Sequence, residues 1–309
     1  MTDNLTQTTQ LIPVLQDWWS QHARALPWRK TGTSAWEILV SEVMSQQTPM
    51  TRVAPYWTQW ITQWPTPADC ANAPVASILL AWGNLGYPSR ALRLQTCAKV
   101  LSTTYNNTVP NTYEELIQLP GIGRYTASAV LSFALHQRIT VVDTNIRRVL
   151  SRAFLGQESI GGTVTSTDYQ LAEKLLPYDA QQQQMPASVL WNQCIMEIGA
   201  TTCTSKNTLC SECPLSSVCK WKKQGFPGKG IHATRKTQKW KGTNRQLRGL
   251  ILKALREQAS HGIEHPQLTV QDLQSLWDNA DQIHVCCTAL EQEKLVSRNS
   301  VGDITFPDD

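Results

Sequence analysis

Leu119-Pro-Gly-Ile-Gly-Arg-Tyr-Thr126 is the stretch whose reading decides the fold of this chain. Thr112 and Glu115 upstream carry the signature of a helix start, a hydroxyl three residues ahead of a carboxylate. Pro120, Gly121 and Gly123 then break the chain, and both glycines permit positive φ and close backbone approach. From Tyr125 to Leu135 the sequence is rich in Ala, Val, Leu and Phe, as a buried helix would be. Helix, glycine hairpin, helix is the expected local structure. Its second helix would aim unpaired backbone N–H groups outward, which suits a phosphate. A short apolar run, Ile139 to Val142, follows, and Asp143 stands at the head of an amphipathic segment, Ile146 to Leu155.

Working outward, helices dominate. Ser34 and Glu37 form a capping-box start for Trp36 to Met44. Trp57, Trp60 and Trp64 recur at helical spacing and are expected in a core, not on a stacking surface. Gln246–Ala259, Thr269–Trp277 and Ala280–Lys294 read as three helices, and Val296–Phe306 as a hairpin turning near Gly302 and Asp303. Together these make a small C-terminal unit of winged-helix type.

The chain has 309 residues, 41% hydrophobic and 17% charged, which excludes disorder over its length. It has no 18-residue apolar run, and its polar start is unlike a signal peptide, so no membrane partner and a cytoplasmic location are expected. Charge is unevenly spread. Residues 214–256 carry 12 basic side chains and no acid, whereas residues 257–309 carry two basic and ten acidic ones. The first of these stretches is a candidate polyanion surface.

Cys203, Cys210, Cys213 and Cys219 crowd into 17 residues, which in a reducing compartment points to metal. Four thiolates suit zinc or a [4Fe-4S] cluster, and the spacing leaves both open. Cys70, Cys97, Cys194, Cys286 and Cys287 read as buried small apolar residues. Glu42 lies between Val40, Val43 and Met44 on an expected helix, where apolar neighbours would favour its protonated form. Asp143 occupies an N-cap position, where the helix dipole and backbone donors would hold a carboxylate ionised.

Residues 119–150, LPGIGRYTASAVLSFALHQRITVVDTNIRRVL, resemble the helix-hairpin-helix DNA glycosylases. LPWR (26–29), SEVMSQQT (41–48), LGYPSRA (85–91), WNQCIMEIGATTCT (191–204) and the C-x6-C-x2-C-x5-C spacing narrow the resemblance to the MutY-type adenine glycosylases. Lys241–Glu257 is similar to the short, actinobacterial-type members. The resemblance implies an all-α, two-lobed fold. Residues 1–30 and 141–222 would form an iron–sulfur lobe and 31–140 a helical lobe with the hairpin. A basic linker, 223–244, and a small domain, 245–309, would follow.

It further implies removal of adenine paired with 8-oxoguanine or guanine in double-stranded DNA, by a monomer near the nucleoid. Glu42 would protonate the adenine, Asp143 would stabilise the sugar cation, and Asn145 would orient Asp143 or water. Arg29, Gln47, Tyr87, Gly121 and Gly123 would meet DNA, with Gln47 and Tyr87 as wedges. The four cysteines would hold a [4Fe-4S] cluster and thereby present Lys206, Lys220, Lys222 and Lys223 to phosphates. Endonuclease III-like lyases carry Lys where Tyr125 stands, and a phenol cannot form a Schiff base, so hydrolysis without strand cleavage is expected. A lyase, or a non-catalytic Fe–S DNA-binding protein, are the rival readings. The sequence departs from the family at Thr144, Pro88 and Ser45, and at its C-terminus, where 245–309 replace the usual β-domain that reads 8-oxoguanine.

Overall fold

The computed structural model describes residues 2–158, 162–180, 185–228 and 240–307. It is mainly helical, with one small three-stranded sheet among the described residues. The chain divides into two compact units. One comprises Met1–Leu39, Asn111–Gln118 and Ile122–Lys236; the other comprises Val40–Pro110, Leu119–Gly121 and Thr237–Asp309.

In the first unit the Ala187–Thr201 helix is apolar on nearly every side, the pattern of a helix surrounded by protein. The helices Thr2–His22, Arg124–Phe133 and Thr144–Leu150 pack against it, and Ser166–Leu175 packs on the first and last of these. Leu15, Val141, Val149, Leu175, Cys194 and Ile195 are among the residues of this core. The run Ile139–Val142 is not part of any strand, although Val141 and Val142 are fully buried. The segment expected as one helix to Leu155 changes character at Ser151, where five residues form a π-helical turn closed by Gly156.

The second unit is built on tryptophan. Trp60 is completely buried and meets Trp64 edge-on at 4.6 Å and Trp82 at 5.8 Å. Burying a ring of that size contributes about 3 kcal/mol. Trp57, Trp60 and Trp64 are all core residues, as their spacing predicted. The helices Met50–Gln63, Val75–Trp82 and Ser89–Thr104 frame this cluster.

The same unit contains the C-terminal elements. The Asn244–Ser260 helix buries Leu247, Ile251, Leu252 and Leu255, and packs with the helices Val270–Leu276 and Ala280–Gln292. The expected hairpin is present as β2 (Ser297–Arg298) and β3 (Ile304–Thr305), and β1 (Gln267–Leu268) adds to its other edge. All pairs are antiparallel, in the order β1-β3-β2. Three helices with a small sheet match the winged-helix-type expectation. Of the basic stretch, residues 229–239 lie outside the described residues. At its start Trp221 is buried, stacked edge-on against Phe226 and under the Arg152 guanidinium. No helix among the described residues is long and apolar enough to cross a membrane.

Candidate active site

Asp143 caps the Thr144–Leu150 helix, as its sequence position predicted. One carboxylate oxygen accepts the Ile146 backbone N–H at 2.6 Å, and the other accepts the Asn145 side-chain amide at 2.8 Å. The expectation of a permanently ionised group needs correction. Burial pushes the Asp143 pKa above its ordinary value, while the two amide donors and the Arg148 charge pull it down. The site is therefore a half-buried carboxylate whose oxygens are engaged by donors.

Arg148 ties this corner together. Its guanidinium donates to the Asn145 side-chain oxygen at 2.8 Å, the Gly199 carbonyl at 2.6 Å and the Cys203 carbonyl at 2.8 Å. Asn145 is thus held from both ends, by Asp143 and by Arg148. Gly199 explains how the two helices come so close. A Cβ there would lie 2.7 Å from the Asn145 Cβ and 2.9 Å from its carbonyl oxygen. Neither Arg148 nor Gly199 was singled out from sequence, because each meets a partner more than 50 residues away.

Tyr125 enters at the second residue of the Arg124–Phe133 helix, and its hydroxyl approaches the Met196 sulfur at 3.9 Å. It is partly buried against the core of the first unit. Arg29, expected at DNA, is engaged inside the protein. Its guanidinium bonds Glu197 at 2.8 Å and the Arg24 carbonyl at 3.1 Å, and stacks over Trp19 at 4.7 Å. Arg24 completes the group with two bonds to the fully buried Glu197, at 2.7 and 2.8 Å. The two arginines outweigh burial and pull Glu197 down to about 2.

In the second unit, Glu42 sits on the Ala35–Ser45 helix and is only 8% exposed. Leu39, Val43 and Met44 beside it on the helix are buried. Gln47 and Tyr87 are exposed and share an uncommon backbone state, with φ of +56° and +48°. Left-handed geometry in residues other than glycine costs about 1 kcal/mol or more, and such strain gathers at functional loops. One buried arginine supports both loops. Arg90 donates to the Val43, Met44, Leu85 and Gly86 carbonyls and to the Thr48 hydroxyl, at 2.8 to 3.3 Å. Sequence reading missed Arg90, since nothing local marks an arginine as buried.

The two hairpin glycines differ. Gly121 has φ +79°, and a Cβ on it would meet the Arg93 Cβ at 3.1 Å. Gly123 is extended, with φ −98° and ψ 174°, and a Cβ there would point into open space. Positive φ, permitted at both, is adopted by Gly121 alone. We expect Gly121→Ala to cost roughly 1–2 kcal/mol in denaturant unfolding.

The four clustered cysteines are free thiols of intermediate burial. Cys203, Cys213 and Cys219 pack against the first unit's core. Arg152 donates to the Cys203 sulfur at 3.3 Å, and the Cys219 thiol donates to the Arg152 carbonyl at 3.8 Å. Burial pushes Cys213 up to about 12, with Cys203, Cys219 and Cys210 adding to the rise, so the four sulfurs form one electrostatic neighbourhood. Among the described residues, no three His, Cys, Asp or Glu side chains are gathered as a single bound ion requires. Four neighbouring thiols are a donor set for either zinc or an iron–sulfur cluster. Lys206, Lys220, Lys222 and Lys223 around them are exposed.

Residues 40–177 match the family model of the HhH-GPD superfamily of base excision DNA repair proteins. The chain is 45% identical over 243 residues to the adenine DNA glycosylase of Mycolicibacterium smegmatis, covering 79% of each protein. It is 40% identical over 290 residues to the adenine DNA glycosylase of Mycobacterium tuberculosis, covering 94% of this chain and 91% of that one. A thermostable thymine-DNA glycosylase has the same fold, with a TM-score of 0.62 and 24% identity over 71% of this chain and 98% of its own.

Proposed function

Because the chain belongs to the adenine DNA glycosylases of the HhH-GPD base excision repair superfamily, we propose that it removes adenine from double-stranded DNA. The adenine would stand opposite 8-oxoguanine or guanine, and the product would be an abasic site. The observation that carries this reading is Asp143, a partly buried helix-capping carboxylate held by Ile146 and Asn145, in a chain this similar to adenine glycosylases.

An adenine inside a duplex must leave the stack before it can react. Gln47 and Tyr87, exposed and strained, fill the gap it leaves. Glu42 gives its proton to the purine ring. The bond from the sugar's anomeric carbon to the base then breaks, and its electron pair leaves with the neutral adenine. The anomeric carbon becomes cationic, and the ionised Asp143 beside it stabilises that charge. Water adds to the carbon and its proton returns to Glu42. Tyr125 has no amine, so no Schiff base forms and the strand stays whole.

Cys203, Cys210, Cys213 and Cys219 would hold a [4Fe-4S] cluster that fixes the loop carrying the exposed lysines. Iron–sulfur charge-transfer colour in the purified protein supports that assignment, and a colourless zinc protein contradicts it. The enzyme would act as a monomer where the DNA lies, in the cytoplasm. Free adenine released from an A:8-oxoguanine or A:G duplex, measured by chromatography, tests the reading. Release by the wild-type protein and none by Glu42→Gln is expected; equal release by both overturns the assigned acid.

A further inference from the structure

The C-terminal helix meets the loop of Tyr87. Arg256 donates to the Asn84 side-chain oxygen at 3.2 Å, and Arg245 lies over the Tyr87 ring at 5.3 Å. Arg245 is equally close to Trp240, at 5.4 Å from that ring. Both distances are within cation–π range. Trp240 is anchored by its own turn, whose carbonyl accepts the Thr243 hydroxyl at 2.8 Å. Gln282, from the Ala280–Gln292 helix, reinforces the turn through the Gly242 carbonyl and the Asn244 side chain.

The rings are not covered by this arrangement. Tyr87 is 45% exposed and Trp240 53% exposed, and Arg245 is exposed as well. The next cations along the helix are paired with acids, Arg248 with Glu293 and Lys253 with Glu257. Arg245 has the two rings instead. The Arg90 guanidinium also lies 5.7 Å from the Tyr87 ring, and two half-exposed rings joined by the Arg245 guanidinium make a stacking platform of the kind that holds unpaired bases. Taking adenine out of a duplex leaves one such base, in the opposite strand, beside the wedge.

We propose that Trp240 and Arg245 extend Tyr87 into a platform that stacks the base left unpaired opposite the extracted adenine. Residues at the entrance of the C-terminal unit would thus contribute the opposite-strand contact. The proposal rests on the glycosylase reading, because it takes Tyr87 as a wedge.

The test is binding of the full chain to two product-like duplexes at one fixed salt concentration. Both carry a tetrahydrofuran abasic analogue in one strand. Opposite it stands guanine in the first duplex and a second tetrahydrofuran in the other. Trp240→Ala should weaken binding to the first by about tenfold and leave binding to the second unchanged. Arg245→Lys keeps the charge but loses the planar stacking group, so it should reproduce most of that selective loss. Equal losses on both duplexes would mean a phosphate clamp or a structural strut and would overturn the platform, as would no loss on either. Wild-type protein that shows the selective effect yet releases no adenine would sink the glycosylase reading and leave the platform standing. Adenine release without the selective effect would do the reverse.

Discussion

Asp143→Asn should lower single-turnover adenine release by about a hundredfold to a thousandfold, the size of effect seen when one preorganised charge-stabilising group is lost. Asparagine has nearly the same shape and is itself a good N-cap, so the helix start is kept. The amide that replaces one oxygen cannot accept the Asn145 N–H it faces, so stability should fall by about 1 kcal/mol. A variant that is inactive and still unfolds cooperatively in denaturant separates chemistry from folding.

The same residue sets a pH limit. The working form is ionised, so activity is lost as pH falls through the folded-state pKa. Burial lifts that value above the ordinary 3.8, and the acid limb of the single-turnover rate should lie correspondingly higher. The Asn145 side chain pulls the pKa down by donating to the carboxylate. Asn145→Ala should therefore move the limb further up. A limb that stays in place, or moves down, would mean that Asn145 does not hold the charged form.

Glu197→Leu should be the most destabilising single change in the first unit, by about 3–5 kcal/mol in denaturant unfolding. It leaves Arg24 and Arg29 without the buried carboxylate that both engage. The linkage sign follows from the lowered pKa. Folded Glu197 titrates at about 2 against an ordinary 4.5. Its contribution, about 3 kcal/mol, is complete above pH 4.5 and disappears as pH falls through about 2. Unfolding at pH 7 and at pH 3 should show a smaller difference for Glu197→Gln than for wild type. Equal pH dependence in the two would remove Glu197 as the source.

Local signals in the sequence carried a good part of this account. The N-cap at Asp143 was legible because capping is decided by three consecutive residues. The Trp57, Trp60 and Trp64 core was legible from helical spacing, and the buried state of Cys70, Cys97 and Cys194 from their isolation. Tyr87 stood in a family motif and Arg245 in the Lys241–Glu257 tail, but Trp240 was not singled out and nothing in sequence says that the three meet.

The failures are physical as well. A Gly-x-Gly turn does not reveal which glycine takes the left-handed conformation; Arg93 crowds Gly121 and not Gly123. The pairing of Glu197 with Arg24 and Arg29 spans about 170 residues, beyond the reach of any local signal. Burial raises Asp143 because of everything packed around the helix start, which a capping motif cannot convey.

The most direct measurement is a single-turnover assay on an A:8-oxoguanine duplex and an A:G duplex, with hot alkali added to half of each sample. The account requires strand breaks at the adenine position only after alkali, which reports an intact strand carrying an abasic site. Breaks without alkali would show lyase chemistry and contradict the role given to Tyr125. No breaks on either duplex, with or without alkali, from protein shown to carry its iron, would contradict adenine removal itself.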